Sequence, residues 1–166
     1  MTSLFSHLFL ALQEQIKKQV PEIKWIDLDL GQLDFYDERP KVTFPCVLID
    51  FPDAIFKDEH QNVQWGELII HFKMGFSPFS SANSLAPDIT KEKALDFYEI
   101  ESKVYQALQQ FEADGQVQPL TRIRATTEKR SDPYRVRLMI MTTATEDDAA
   151  TIPIVTKKAG LHIDHN

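Results

Sequence analysis

Several acidic residues near residue 30 have the chemistry of a calcium site or of a general acid–base pair. Asp27 and Asp29 alternate with apolar residues, so they share one face of a predicted strand, and the loop that follows carries Asp34, Asp37 and Glu38. Clustered carboxylates can bind Ca²⁺ or transfer protons. The sequence contains no nucleotide-binding, metalloprotease, EF-hand or nucleophile-elbow motif, so we interpret these acids as a solvated face.

The single cysteine and the five histidines add little further chemistry. Cys46 lies in the apolar run FPCVLIDF, where burial raises the pKa of a thiol, so we expect it in the core. Only His162, Asp164 and His165 lie close together, in a predicted tail rather than in a rigid site. We therefore expect no metal, no cofactor and no enzymatic activity.

Four arginines are the strongest candidates for a binding function. Arg122 and Arg124 are two residues apart on one predicted strand, and Arg135 and Arg137 are two residues apart on the next. If the two strands form a hairpin, all four side chains share one face as a positive strip. The simpler interpretation is a solvated face matched to carboxylates on a neighbouring strand or subunit, and we favour charge matching at an interface. Contact with DNA is the second interpretation, since no aromatic residues interleave as a single-strand binder needs.

Composition limits the remaining functions. The chain has 166 residues, which fits one domain, and a net charge of −7, which argues against a general nucleic-acid binder. The apolar run at 8–12 is too short to span a bilayer and lacks a preceding basic region. We therefore expect no membrane segment and no signal peptide.

The strongest strand signal is Gln64–Phe76. Leu68 and Phe72 belong to its apolar face, whereas Trp65 and Ile69 lie on the other, mixed face. A strand of this length extends about 43 Å, more than most single-domain cores are wide, so part of it should project as an arm or a long hairpin. We expect a neighbouring subunit to bury Trp65 and Ile69.

The other periodic segments complete an α+β fold, a mostly antiparallel sheet with two helices packed on one face. Residues 53–62 are polar and turn-like after Pro52, and residues 77–90 form a polar loop. The chain divides into one domain, 1–145, and an extended or partly disordered tail, 146–166. The predicted elements are a helix at 4–20, strands at 24–30, 44–51 and 64–76, a helix at 91–113, and strands at 119–128 and 134–145.

This order of elements resembles the tail-terminator, or tail-completion, proteins of long-tailed bacteriophages and prophages. The matching features are the first helix, the FPCVLIDF strand after an acidic loop, the long QWGELIIHFKMGF strand, the YEIESKVYQALQQF helix and the terminal RVRLMIMTT strand. The resemblance covers most of residues 1–145. The tail beyond Glu146 falls outside it.

The resemblance implies a non-enzymatic structural protein of the virion tail, assembled in the host cytoplasm. Its copies would form a ring, with a hexamer implied, that closes the tail tube and contacts tube, neck or connector proteins, with passing DNA in the lumen. In such a ring we expect the arginine strip to meet the loop of Asp34, Asp37 and Glu38 head to tail.

Two alternatives stay open at this point. One is a small enzyme or ligand-binding domain with a pocket between sheet and helices and with Asp27, Asp29 or His71 at its rim. The other is a different structural protein of the phage neck or of a contractile injection machine.

Overall fold

The computed structural model describes residues 3–77 and 81–151. Within these residues, two helices and five strands follow in the order α-β-β-β-α-β-β. The predicted α+β class is confirmed. The elements are α1 Leu4–Gln19, β1 Trp25–Leu28, β2 Cys46–His60, β3 Val63–Phe76, α2 Asp88–Leu108, β4 Thr121–Glu128 and β5 Arg135–Asp147.

The strands form one sheet in the order β1-β2-β3-β5-β4, with β3 at its centre. β1 pairs with β2 in parallel, and the other pairings are antiparallel. β5 follows β3 from Gln64, opposite Asp147, to Phe76, opposite Arg135. Two neighbours therefore hold β3 along its length, and its far end is three strands wide rather than an isolated arm.

The β2–β3 hairpin is longer than the sequence predicts. The prediction of a turn at 53–62 is wrong, because β2 continues to His60 and the turn consists of Gln61 and Asn62 alone. These two residues have φ of 48° and 66°, the positive values that a two-residue type I′ turn requires.

The outer half of β2 shows no clear alternation of apolar and polar residues in the sequence, because its polar residues outnumber its apolar ones. Pro52 does not end the strand as predicted, since it lies in a bulge between Asp50 and Asp53, where its missing N–H costs no ladder bond. Phe56 pairs with Gly66, and a Cβ at Gly66 would lie 2.5 Å from the Phe56 ring. Glycine at that position therefore lets the ring lie across β3.

Both helices cover the same face of the sheet, as predicted. Their apolar stripes interlock with alternate residues of β2, β3 and β5 in one core. The predicted meeting of β3 with α2 is confirmed, because the residues of both stripes belong to this core. Its central members are Leu8, Leu12, Ile16, Leu68, Ile70, Phe72, Phe97, Ile100, Val104 and Leu108.

α2 begins and ends earlier than the predicted 91–113. Pro87 occupies its cap position with φ −58°, a value already suited to entering a helix. After Leu108 the backbone turns away: Gln110 has φ 66°, and its N–H donates to the carbonyl of Leu120. Pairing with the start of β4 thus replaces the last helical turns.

A second, smaller core lies on the opposite face of the sheet, beneath the segment between β1 and β2. Leu33 and Val42 of that segment pack on Cys46 and Leu48 of β2, and Val136 of β5 completes the cluster. The predicted burial of Cys46 is confirmed. This core covers only the end of the face near the start of β2.

β5 extends slightly beyond the predicted domain boundary, since Glu146 and Asp147 still pair with β3. The remainder of the predicted tail, including His162, Asp164 and His165, lies outside the described residues. Neither of the two described helices combines the length and the apolar character needed to cross a bilayer.

The central position of Phe72 leads to a stability prediction. Phe72 of β3 is fully buried in the core that the two helices cover, so Phe72→Ala should lower the free energy of unfolding by about 3–5 kcal/mol through lost burial and the cavity left behind. Urea unfolding followed by circular dichroism measures this loss. Leu85→Ala is the control, because Leu85 is 94% exposed and its truncation should change stability by less than about 0.5 kcal/mol. Equal losses in the two variants would contradict the packing described.

Candidate interaction surface

The face of the sheet that carries no helix is covered at one end and uncovered at the other. Residues directly opposite each other on paired antiparallel strands point to the same side, so the register identifies which side chains lie here. We call the uncovered part the open face. Its rows across the strands are Asp50–His71–Ile140–Arg124, Asp53–Ile69–Thr142–Thr121, Ile55–Glu67–Ala144 and Lys57–Trp65–Glu146.

The open face combines apolar side chains with a negative balance of charge. Trp65 and Ile69 lie on it, on the side predicted from sequence, and both are half-buried. Ile55 is 56% exposed, and Ile140 adds a further half-buried apolar side chain. Carboxylates outnumber the basic groups in the rows. A partner for this surface should therefore be apolar at its centre and basic at its edge.

The predicted strip of four arginines on one face is wrong. A bulge at Ile123 separates Arg122, which pairs with Met141 on the helix side, from Arg124, which pairs with Ile140 on the open face. A hairpin without a bulge would have kept both on one side, and nothing in the local sequence marks the extra residue.

Three of the four arginines contact α2, although Arg122 also remains exposed to solvent. The guanidinium of Arg122 lies 3.7 Å from the ring centroid of Tyr105, and that of Arg135 lies 4.7 Å from the centroid of Phe97. Arg135 also donates to the hydroxyl of Tyr98 at 3.2 Å. Such stacking secures the helix over the sheet and leaves less of each charge available to a partner.

Arg137 forms a buried ion pair with Glu101 of α2. Its Nε donates to Glu101 Oε2 at 2.5 Å, its Nη2 to Glu101 Oε1 at 2.7 Å, and its Nη1 to Thr127 Oγ1 at 2.6 Å. The hydrogen bonds to Glu101 outweigh burial and raise the pKa of Arg137 above its ordinary value. Because both groups are largely desolvated, losing one partner would leave the other as an uncompensated charge.

The sequence does contain a signal for this pair. Glu101 falls within the buried stripe of α2, between Phe97 and Val104, where a heptad-like spacing places core residues. A carboxylate at a core position requires a cation from another element. Arg137 shares a strand face with Met139 and Met141, which are themselves buried, so it is the candidate that the pattern offers.

The acidic loop predicted as an interface is partly engaged within the chain. Asp34 accepts from Lys73 Nζ at 2.9 Å and lies 3.6 Å from Arg130 Nη1. Asp37 has a fully exposed side chain whose only ion pair among the described residues is with Lys41, at 3.4 Å. Glu38 is exposed. Asp37 and Glu38 thus remain available to a partner, while Asp34 fixes the loop to the sheet.

Lys73 is the centre of the ionic contacts that hold this loop. Asp29 lies 3.3 Å from its Nζ and Glu128 lies 3.7 Å away. Burial disfavours the charged amine, but the hydrogen bond with Asp34 and the neighbouring carboxylates outweigh it and raise the pKa of Lys73. Arg130 joins the group through Asp34 and through Glu128, which lies 3.4 Å from its Nη1. Arg130 also binds Asp132 and holds the pKa of that carboxyl below its usual range by hydrogen bonding.

The residues proposed for the rim of a catalytic pocket do not line a space between sheet and helices. Asp27 pairs with Leu48, and His71 pairs with Asp50 and Ile140, so both lie on the side without helices. The ion pair between Asp29 and Lys73 also lies there. That part of the enzyme hypothesis is wrong, because the space beneath the helices is filled by the apolar core.

Two cavities of the protein surface are not lined by the acidic residues near residue 30. An open cavity of about 800 Å³ lies at the far end of the sheet, between Leu4, His7 and Trp65. A smaller groove of about 280 Å³ lies beside Phe9 of α1. Among residues 3–77 and 81–151, no group of three or more His, Cys, Asp and Glu is placed to hold a metal ion.

The sequence matches no protein-family model and no curated protein. The fold does have solved counterparts. One is a chain from a structure described as the virion of a native gene transfer agent (GTA) particle, with a TM-score of 0.54 at 11% identity; the match covers 89% of this chain and 100% of that one. At this identity the likeness establishes a shared fold.

Replacing Arg137, the cation of the buried ion pair, should destabilise the folded protein. Arg137→Met leaves Glu101 uncompensated beneath α2, and with 14% of the arginine side chain exposed we expect the free energy of unfolding to fall by about 3 kcal/mol, the low end of the range for broken buried pairs. Urea unfolding measures this loss. Arg137→Met combined with Glu101→Leu should recover most of it, whereas equal losses in the single and double variants would contradict the pairing. Lys103→Met is the control, since it breaks an exposed pair with Glu22 and should leave the midpoint unchanged.

The environment of Cys46 predicts an inert thiol. Burial raises the pKa of Cys46 to about 12, so only about one thiol in ten thousand is ionised at pH 8. We expect no reaction of the folded protein with a disulfide reagent at pH 8 over a time in which protein unfolded in guanidinium reacts completely. Rapid labelling of the folded form would show that the β2 thiol is accessible after all.

Proposed function

We propose that this protein is a non-enzymatic structural subunit of a phage-like tail, whose copies form a ring that terminates the tail tube and joins it to the head or neck. The observation that carries the proposal is the likeness to a chain of the GTA virion, which is matched over its full length. A fold shared over all of that chain favours a similar role as a structural component.

Two features of the chain support assembly with its own copies. The open face presents half-buried Trp65 and Ile69 on a rigid three-stranded region, where a partner can bury them without any ordering of loops. Among the strands that the structure describes, β1 and β4 each have one edge that pairs with no other strand. Different surfaces on one subunit suit a head-to-tail contact that repeats around a closed ring.

The structure revises which predicted interface residues could take part. Trp65, Ile69 and Arg124 share the open face, and Asp37 and Glu38 are exposed on the loop. We propose that these five side chains contribute to the ring contact, with Arg124 of one copy near the acidic loop of the next. The remaining arginines and Asp34 act within the subunit.

Partners other than a second copy follow from the position in a tail. We propose contacts with tail tube and neck or connector proteins, in the virion and, during assembly, in the host cytoplasm. Contact with DNA in the ring lumen loses its main support, because the bulge at Ile123 divides the basic strip on which it rested.

The absence of catalysis is part of the same proposal. Asp29 is engaged with Lys73, and the raised pKa of Cys46 disfavours the nucleophilic thiolate. The ion pair and the raised pKa support structural roles for two residues that could otherwise act in catalysis.

Assembly assays on charge-reversal variants test the ring. Wild-type protein should show a scattering mass that rises with concentration, with rings visible by negative-stain electron microscopy, while Trp65→Glu and Arg124→Glu should remain monomeric and fail to complete tails in a producing strain. Lys93→Glu is the control, since it makes the same charge change as Arg124→Glu at an exposed position on α2 and should assemble normally. Thermal unfolding confirms that all variants are folded. Normal assembly and tail completion by both open-face variants would overturn the proposed contact.

A further inference from the structure

Two long edges of the sheet have no neighbouring strand among residues 3–77 and 81–151. One belongs to β4, the last strand in the order β1-β2-β3-β5-β4. The other belongs to β2, because β1 pairs only with residues 46–49 whereas β2 continues to His60. We call these the β4 edge and the β2 edge, the second being residues 50–60. An unpaired strand edge is a template for the addition of another strand.

The outer edge of β1, in contrast, is closed by side chains of the same chain. Asp29 donates its N–H to the carbonyl of Ile49 in β2 at 2.9 Å. Alternate residues of a strand face opposite edges, so Ile26 and Leu28 direct their backbone groups outward. Three of these four groups are bound: Gln13 Nε2 donates to the Ile26 carbonyl at 2.9 Å, the Leu28 N–H to Asp27 Oδ1 at 2.8 Å, and Gln32 Nε2 to the Leu28 carbonyl at 2.9 Å. A strand added at β1 would have to displace these hydrogen bonds.

The β2 edge directs backbone groups outward beyond the end of β1. Ile49 faces β1 through its bond with Asp29, and the bulge after Asp50 adds one residue to the strand. Ala54 and Phe56 therefore direct their N–H and carbonyl groups to the same edge as Ile49.

The β4 edge presents its backbone in the same way. Gln118 donates its N–H to the carbonyl of Ala144 at 2.7 Å, so Ala144 and every second residue before it face the β4 side of β5. Leu138 is one of these residues, and Thr126 lies opposite it in the ladder. Thr126 therefore faces β5, and the backbone of its neighbour Ala125 faces outward.

Neither of these two edges is closed as β1 is. Within the described part of the chain, no side chain binds the outward backbone groups of Ala54, Phe56 or Ala125, unlike those of β1. Ile55 on the β2 edge and Ile123 at the β4 bulge are each 56% exposed. Strand pairing would satisfy the backbone groups and remove both apolar side chains from water.

The two edges carry opposite charge. Residues 121–125 of β4 include two exposed arginines and no acid. Beyond its bulge, the β2 edge carries three exposed carboxylates and one exposed amine, namely Asp53, Asp58, Glu59 and Lys57. Opposite charges on neighbouring strands stabilise their pairing, and like charges oppose it. Contact between two β2 edges or two β4 edges is therefore disfavoured, whereas the β4 edge of one copy suits the β2 edge of another.

The strand directions allow the sheet to continue from one copy to the next. β2 and β5 run in one direction and β4 runs in the opposite one. Copies related by rotation about an axis along the strands keep their helices on the same side, and β4 of one copy then lies antiparallel to β2 of the next. Antiparallel pairing is the more stable arrangement per residue. Arg124 and Asp53 both belong to the open face, so their side chains would lie on the same side of the continuous sheet.

We propose that the β4 edge of one copy pairs in antiparallel fashion with the β2 edge of the next, so that neighbouring copies share one continuous sheet. The inference rests on the proposed assembly of copies and adds the backbone contact that joins them. Arg124, already part of the proposed ring contact, gains Asp53 as a partner on the adjacent strand.

Proline at an outward position of β4 tests the backbone contact. Ala125→Pro removes an N–H that faces away from β5, so the subunit should fold while the shared sheet loses a hydrogen bond. In light scattering at rising concentration, half-assembly should need at least ~10-fold more protein than for the wild type. Ala125→Val is the matched control, because it keeps the N–H and should assemble at the wild-type concentration. Thermal unfolding establishes that both variants are folded.

An exchange of charges tests which residue Arg124 meets. Arg124→Asp and Asp53→Arg should each prevent assembly, because each places like charges together across the junction. The two changes combined in one chain should restore assembly. Arg124→Asp combined with Asp37→Arg is the matched control, since it places the new cation on the acidic loop instead of the β2 edge and should not assemble.

The other results overturn the inference and separate it from the proposed function. Folded Ala125→Pro that assembles at the wild-type concentration, or rescue of Arg124→Asp by Asp37→Arg in place of Asp53→Arg, would mean that copies assemble without sharing a sheet. The ring proposal would then stand. Failure of the wild-type protein to assemble, both in solution and on tails in a producing strain, would overturn both proposals.

Discussion

The structure depends on the pairing of β3 with two neighbours along its length. An antiparallel strand in that position needs one face packed on the core, while the other can face water, and the two helices of this chain lie on the same side. The segment between β1 and β2 covers the other side only around Cys46 and Leu48. The sheet is longer than this segment, so the rest of that side remains uncovered. This uncovered part is the open face, a rigid surface that carries Trp65 and Ile69.

Basic residues on or beside the sheet help to hold in place the segments that cover it. These segments are α2 on one side and the loop between β1 and β2 on the other. Arg137 and Arg135 fix α2 through Glu101, Phe97 and Tyr98. Lys73 and Arg130 fix the loop between β1 and β2 through carboxylates such as Asp34. These four basic side chains are thus engaged within the subunit, each with a carboxylate or an aromatic ring.

The resemblance in element order and the comparison of folds both lead to phage-like virions. The order of elements led to a phage tail component, and the fold is shared with a chain of a GTA virion. A subunit of a closed ring needs rigid, distinct surfaces more than it needs a pocket. The open face, the free sheet edges and the engaged acidic residues are consistent with that requirement, and the ring itself stays a proposal.

The sequence by itself determined the class of fold, both helices, the central strand and the core, because these follow from side-chain periodicity along single elements. It also placed Trp65 and Ile69 on one face and Cys46 in the interior. It failed at the outer half of β2, whose polar residues obscure the alternation, and at the ends of α2, where backbone pairing with Leu120 replaces helical bonds. The positions of the arginines were decided mainly by the tertiary structure. One extra residue at Ile123 moves Arg124 to the other side of the sheet. Glu101 at a core position of α2 indicates that a cation must lie nearby, but only the packing of α2 on β5 brings it to Arg137, since a contact between distant segments leaves no period in the sequence of either one.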